Sequence, residues 1–205
     1  MEPSVPPTTA VIVLTGGGST RMGRHKPALQ VGGRPMIERV LGAADEHVRV
    51  VVGDPQAVPE GTPVVREDPP GSGPVAGIAA GLAALAELTG PRDTIELVGV
   101  LAGDLPFLTA EHLDELFVAL TSGPSDIERP DVALAVDPTG TANWLCAVWR
   151  ADVLRRRLAE LGEPAGKSVR RLLGGTRQVH VLDETGWSSD VDTPDDLDAA
   201  RNRQP

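Results

Sequence analysis

Residues 10–27 read AVIVLTGGGSTRMGRHKP, and the change of character halfway along this stretch decides the fold. Ala10 to Leu14 is an unbroken apolar run rich in β-branched residues, the pattern of a strand covered on both faces. Three glycines follow, Gly16, Gly17 and Gly18, whose backbone can take positive φ and bring its N–H groups against a ligand. Behind them stand Arg21, Arg24 and Lys26, and Pro27 closes the segment. A buried strand that delivers a loop without side chains, backed by clustered cations, suits a polyphosphate.

Spacing excludes two other phosphate loops. A P-loop requires GxxxxGK[ST], but Gly18 and Gly23 are followed by Arg24 and His25. The dinucleotide fingerprint GxGxxG fails because Arg21 occupies the place of the third glycine.

The chain around this stretch has 205 residues, enough for one substantial core, and a single domain over residues 10–205 is expected. The polar, proline-rich start MEPSVPPTTA is unlike a secretory signal, and no apolar run is long enough to span a bilayer. A cytoplasmic protein with a loose tail over residues 1–9 is expected. Cys146 is the lone cysteine, which excludes an internal disulfide and reads as a small buried hydrophobe. With 29 acidic and 19 basic residues the net charge is −10, which argues against nucleic acid and anionic membranes as partners. Aromatic residues make up 2% of the chain, too few for stacking platforms on single strands. A small anionic ligand must then be held by local cations and a metal ion.

Strands and helices alternate along the rest of the chain. Apolar positions at helical spacing predict a helix from Arg34 to Glu46 with Pro35 in its first turn. Strands are expected at Val48–Val52, Pro63–Val65, Ile95–Leu101, Val132–Val136, Leu145–Trp149 and Val179–Leu182. Helices are expected at Pro74–Leu88, after a Thr109 cap, at Ala151–Leu161, and in short form after Ser168. This order predicts a three-layer α/β architecture with a mostly parallel, Rossmann-like sheet and a few antiparallel strands after Pro130.

Four places in this arrangement carry chemistry. The first is the Gly16 to Lys26 loop; the second is the glycine-rich opening of the helix at Pro74, a natural anion end. Asp104 follows directly on a buried strand, at the carboxyl edge where open α/β sheets bind ligands, and is the best single metal ligand. In DVDTPDDL, Thr193 caps a helix with Asp196 three residues on, which leaves Asp190 and Asp192 unexplained by capping and on one side of an extended segment. Asn143 and Trp144, in the loop DPTGTANW, either face a second substrate or close a hairpin. Lys167 and Arg170, on and before the short helix, are expected to reach an anionic substrate. No nucleophile elbow and no cysteine–histidine zinc set is present. Cations and carboxylates without a protein nucleophile match phosphoryl-type transfer.

LTGGGSTRMGRHKPAL, GSGPVAGIAAGL, AGDLPFL, LCAVWR and DVDTPDDL, in that order and over nearly the whole chain, resemble the MobA-like nucleotidyltransferases that make molybdenum cofactor dinucleotides. The resemblance implies a three-layer Rossmann-like fold of the nucleotide-diphospho-sugar-transferase type, with Mg2+ as cofactor and GTP as donor. In such enzymes the terminal phosphate of molybdopterin attacks the α-phosphate of GTP and releases pyrophosphate. A phosphate is already ionised at neutral pH, which explains the missing general base. Carried over by motif, Leu14, Thr15, Gly16, Gly17 and Gly18 bind the nucleotide through backbone groups, while Arg21 and Lys26 neutralise the triphosphate. Asp104 holds magnesium, Asp68 with Gly73, Pro74 and Gly77 lines the nucleoside side, and Asp190 and Asp192 border the metal and the pterin phosphate. Transient contact with other proteins of cofactor biosynthesis is implied as well. Three positions depart from the guanylyl pattern: His25 stands where Asp is usual, Gly103 replaces a common Cys, and DVDTP replaces an asparagine-rich motif. They leave CTP as an alternative nucleotide and another small phosphate as an alternative acceptor, although Thr15-Gly16-Gly17 favours the guanylyl side. A non-catalytic nucleotide-binding protein is the alternative from another class.

Overall fold

The apolar run at the start of the chain forms β1 (Thr9–Leu14), and its side chains divide by parity. Ala10, Ile12 and Leu14 enter one buried layer, Val11 and Val13 the other. In β4 (Val48–Val52), Val50 and Val52 share the layer of Ile12 while Val51 joins that of Val11. Successive strand side chains point to opposite faces, so a strand apolar at every position requires helices on both sides. The computed structural model, which describes residues 8–16, 26–90, 94–122 and 129–203, supplies them. On the Val11 side lie α1 (Met36–Ala43) and α3 (Ala110–Thr121). On the Ile12 side lie α2 (Pro74–Thr89), α4 (Ala151–Leu161) and α5 (Val169–Leu173). A short hairpin, β2 (Gln30–Val31) with β3 (Arg34–Pro35), is covered by α6 (Pro194–Asn202) through Leu197, Ala200 and Val31.

The main sheet has seven strands in the order β5-β4-β1-β6-β8-β7-β9, completed by β5 (Val64–Val65), β6 (Leu97–Ala102), β7 (Val132–Val136), β8 (Ala142–Arg150) and β9 (Gln178–Leu182). β1 pairs in parallel with both β4 and β6. From β1 the chain steps outward to β4 and β5, then returns through α2 to β6 on the other side of β1. The crevice at the carboxyl ends of β1 and β6 is therefore a topological switch point, the place where such sheets take their ligands.

α2 lies close on β1 and β4 because its inner face is glycine. A Cβ at Gly81 would stand 2.6 Å from Ile12 Cγ2 and 3.0 Å from Val52 Cγ2. Replacing an exposed helical glycine with alanine gains about 1 kcal/mol, whereas overpacking a core costs about 1–3 kcal/mol. Ile12 is fully buried and cannot retreat, so overpacking prevails here. Gly81→Ala is expected to lower the unfolding free energy in urea and Gly81→Val to lower it further. A more stable alanine variant would show that α2 can lift from the sheet.

Several sequence expectations are corrected. The first helix begins at Met36 and ends at Ala43, not at Arg34 and Glu46, because Arg34 and Pro35 pair with Gln30 and Val31 and Pro35 becomes the cap residue. Thr9 belongs to the sheet, paired with Leu97, and Thr8 accepts a bond from the Glu96 N–H, so residues 8 and 9 are not tail. Residues 1–7 lie outside the described set. Only β8 runs against the other main-sheet strands; β7 and β9 are parallel to the rest. β8 starts three residues before the expected Leu145, since after a register shift between Leu134 and Ala135 the latter pairs with Asn143. Asn143 and Trp144 are thus strand residues. Cys146 is fully buried, and burial raises its thiol pKa, which leaves it unreactive.

Candidate active site

The loop after β1 is tied down before it reaches any ligand. Thr15 donates its N–H to the Val52 carbonyl at 2.9 Å, and its buried hydroxyl reaches the carbonyls of Val52 at 3.2 Å and Asp54 at 3.1 Å. Gly53 sits against this turn at φ 125°, where an added Cβ would stand 2.7 Å from both Gly16 N and Thr15 Oγ1. Only glycine fits there. The Gly103 N–H bonds the Leu14 carbonyl at 2.9 Å, bringing the loop after β6 alongside.

Lys26, in a short 3-10 turn, points into the crevice between these loops. Its Nζ lies 2.5 Å from Asp192 Oδ1 and 3.8 Å from Asp104 Oδ2. Asp192 is presented by the start of α6, where Thr193 caps the helix and Asp196 accepts from the Asp192 and Thr193 N–H groups. Val191 bonds the Asp104 carbonyl and fixes this segment against the loop after β6. Burial, and next the charge of Asp190, push the Asp104 carboxyl up to about 6, with Lys26 partly opposing. Burial and then Asp192 raise Asp190 as well. Among the described residues the crevice thus holds three carboxylates, Asp104, Asp190 and Asp192, against the one ammonium of Lys26.

Three contiguous cavities meet here. One of about 520 Å³ runs from Leu14, Thr15 and Gly16 past Gly53 and Glu67 to Gly73, Pro74 and Gly77. A second, about 260 Å³, shares Leu14 to Gly16 and contains Lys26, Asp104, Asp190 and Asp192. The third, about 760 Å³, shares Asn143, Leu145 and Asp190 with the second and adds Trp144, Lys167 and Ser168. The charged cluster therefore lies between two larger rooms.

The expected residues largely converge. Leu14, Thr15, Gly16, Gly73, Pro74 and Gly77 line the first room, and Asn143, Lys167 and Asp190 the third. Asp68 is exposed and does not line the first room; its neighbour Glu67 turns in instead. Arg170 is exposed on α5 and lines none of the three. Gly17, Gly18, Arg21, Arg24 and His25 lie outside the described residues. Asn143 is committed to structure: it donates to the Ser188 carbonyl at 2.7 Å and accepts from the Leu145 N–H at 3.0 Å, holding the shifted part of β8 to the segment that leads to Asp190. Asp183, which organises that segment, was not singled out by sequence; only the turn-like run Asp-Glu-Thr-Gly hints at it.

Among the described residues, no three His, Cys, Asp or Glu side chains converge enough to cage an ion by themselves. Magnesium needs no such cage, being bound through one or two carboxylates together with substrate phosphates. Asp104 and Asp192, hard oxygen donors that both face Lys26, fit that requirement.

The model of a family described as the MobA-like NTP transferase domain matches residues 11–181. The molybdenum cofactor guanylyltransferase of Rhodobacter capsulatus is 32% identical over 199 residues, covering 95% of each chain. The crystal structure of molybdopterin-guanine dinucleotide biosynthesis protein A from Archaeoglobus fulgidus has a TM-score of 0.69 at 22% identity, over 94% of this chain and 97% of that one. The 2-C-methyl-D-erythritol 4-phosphate cytidylyltransferase of Thermus thermophilus has a TM-score of 0.62 at 20% identity, with the same coverage. One is named for guanine and the other for cytidylyl transfer, so the shared fold leaves the base open. No helix among the described residues is long and apolar enough to cross a membrane.

Proposed function

The chain belongs to the MobA-like NTP transferase domain family, and on that premise we propose that it transfers GMP from GTP to the phosphate of molybdopterin. The observation that carries this reading is the position of Lys26, Asp104 and Asp192 between two separate rooms. A transferase must hold a donor and an acceptor so that both reach one reacting phosphorus. The first room, bounded by glycines and backbone, takes the nucleoside. The third, with Lys167 at its edge, takes the pterin phosphate.

The acceptor's phosphate oxygen attacks the α-phosphorus; the bond from that phosphorus to the β-phosphate's bridging oxygen breaks, and pyrophosphate leaves. The attacking group is already an anion, so no side chain has to remove a proton. Lys26 turns its ammonium from Asp192 to the triphosphate and offsets charge that builds as the bond breaks. Asp104 and Asp192 are the ligands for Mg2+, which when bound supplies further charge neutralisation at the phosphates. The backbone of Leu14 to Gly16, fixed through Thr15, positions the nucleotide without side-chain motion.

Incubating the protein with GTP, Mg2+ and molybdopterin, followed by mass spectrometry, is expected to give the guanine dinucleotide and pyrophosphate. A product formed only from CTP, or a stable GTP complex that yields no product with any phosphate acceptor, would overturn the reading.

A further inference from the structure

Both substrates of the proposed reaction are anions, yet the chain has a net charge of −10 and the described part of the crevice holds more carboxylates than cations. One stretch of surface has the opposite sign. Residues 150–177, which include α4 and α5, carry eight of the chain's 19 lysines and arginines but three of its 29 acids. Part of that charge is answered locally: Arg156 and Arg157 face Glu160, Arg177 faces Asp131, and Arg150 donates to the carbonyls of Pro130 and Leu120. Lys167, Arg170 and Arg171 have no carboxylate partner among the described residues, and both arginines are exposed. These three border the third room. Lys167, Ser168 and Val169 line it, and Arg170 and Arg171 are the next two residues of α5. At a rise of about 1.5 Å per residue, they follow Val169 within about 3 Å along the helix. That is well inside the Debye length of about 8 Å at physiological ionic strength, so their charge acts on an anion entering the room. Arg157 holds the segment through the carbonyls of Arg171 and Leu172 and makes no use of their side chains.

We propose that Arg170 and Arg171, with Lys167, form an electrostatic guide that draws the phosphate-bearing acceptor into the third room. The inference rests on the nucleotidyltransferase reading above. It makes negative charge on the acceptor a condition of efficient capture, on a chain whose overall field repels anions. The two arginines line none of the rooms, so they act on arrival and leave bond making and breaking to the crevice. Steering of this kind raises the rate of encounter and depends steeply on ionic strength.

Steady-state kinetics of dinucleotide formation from GTP and molybdopterin with Mg2+, at low and high ionic strength, test this. The variant is Arg170→Glu with Arg171→Glu. Glutamate suits residues that closely follow a helix cap, so α5 is expected to persist, and GTP affinity by calorimetry reports an intact first room. At low salt, kcat/KM for the acceptor is expected to be about 10- to 100-fold lower in the variant, with kcat and the KM for GTP unchanged. In wild type the acceptor's kcat/KM should fall as salt rises, and at about 1 M, where the Debye length is about 3 Å, the two proteins should converge. GTP, itself a polyanion, is the internal control. An equal loss for both substrates would mean that net charge alone governs entry, and overturns the local role. A loss that persists at high salt marks a direct contact or a structural defect and overturns steering, as does equal acceptor kcat/KM in the two proteins at low salt. Each of these outcomes leaves the proposed reaction standing, whereas wild-type protein that forms no dinucleotide overturns both.

Discussion

Asp104→Asn will release pyrophosphate about 100- to 10,000-fold more slowly than wild type, the range for removing a charge-handling group from such a site, yet the ligand-free variant will resist urea better. The two effects have one origin. Burial and Asp190 hold the Asp104 carboxyl at about 6 in the folded chain, above its ordinary value of 3.8. A raised acid favours the fold while protonated, so its contribution is fully present below about 3.9 and is lost as pH rises through 6. At neutral pH wild type therefore bears a penalty of order 1–3 kcal/mol for the ionised group, which the neutral amide avoids. The stability advantage of Asp104→Asn should be full above about pH 6 and absent below about pH 4. Lys26→Ala separates charge from placement: turnover should fall in the same range, but stability should fall as well, because Asp104, Asp190 and Asp192 lose their only cation within reach among the described residues. Near wild-type turnover in both variants would remove this crevice from the chemistry.

Much of this crevice was legible because strands covered on both faces leave a plain trace. Val48–Val52 and Val132–Val136 read as unbroken apolar runs and are strands over those residues. Asp104 was legible from position alone, directly after such a run. The Thr193 cap was legible because a box of side-chain and backbone bonds needs a fixed spacing, which Thr193 and Asp196 meet. Glu67 was not, since two adjacent carboxylates precede Pro69 and Pro70, and which of them turns inward depends on a main-chain path that spacing does not encode. Asn143 reads as a loop residue for a related reason. Its pairing with Ala135 exists only after a register shift, and a shift of one strand against another leaves no mark in either sequence.

Asp183, the residue sequence passed over, should give the largest loss of stability. It is 1% exposed, and its two oxygens accept from the N–H groups of Gly186 at 2.5 Å, Trp187 at 2.9 Å and Ser188 at 2.8 Å, and from Ser188 Oγ at 2.7 Å. Trp187, so held, is buried and stacks on His112 at 4.8 Å between ring centres. Ser188, so held, offers its carbonyl to Asn143, two residues before Asp190 enters the crevice. Asp183→Ala strands several buried donors at once, and leaving buried partners unpaired costs about 3–5 kcal/mol, a large share of a typical domain's stability. Burial by itself would raise the Asp183 carboxyl, but the bonds from Ser188, Trp187 and Gly186 outweigh it and hold the group below its ordinary value. A lowered acid contributes stability above its unfolded value near 3.9 and loses it as pH falls through the folded value. The gap in unfolding free energy between wild type and Asp183→Asn should therefore be widest near neutral pH and narrow steadily below about pH 4. Urea titrations across that range decide it: a gap that stays constant with pH would mean that shape, and not the carboxylate's charge, holds the segment from Thr185 to Asp190 against the crevice.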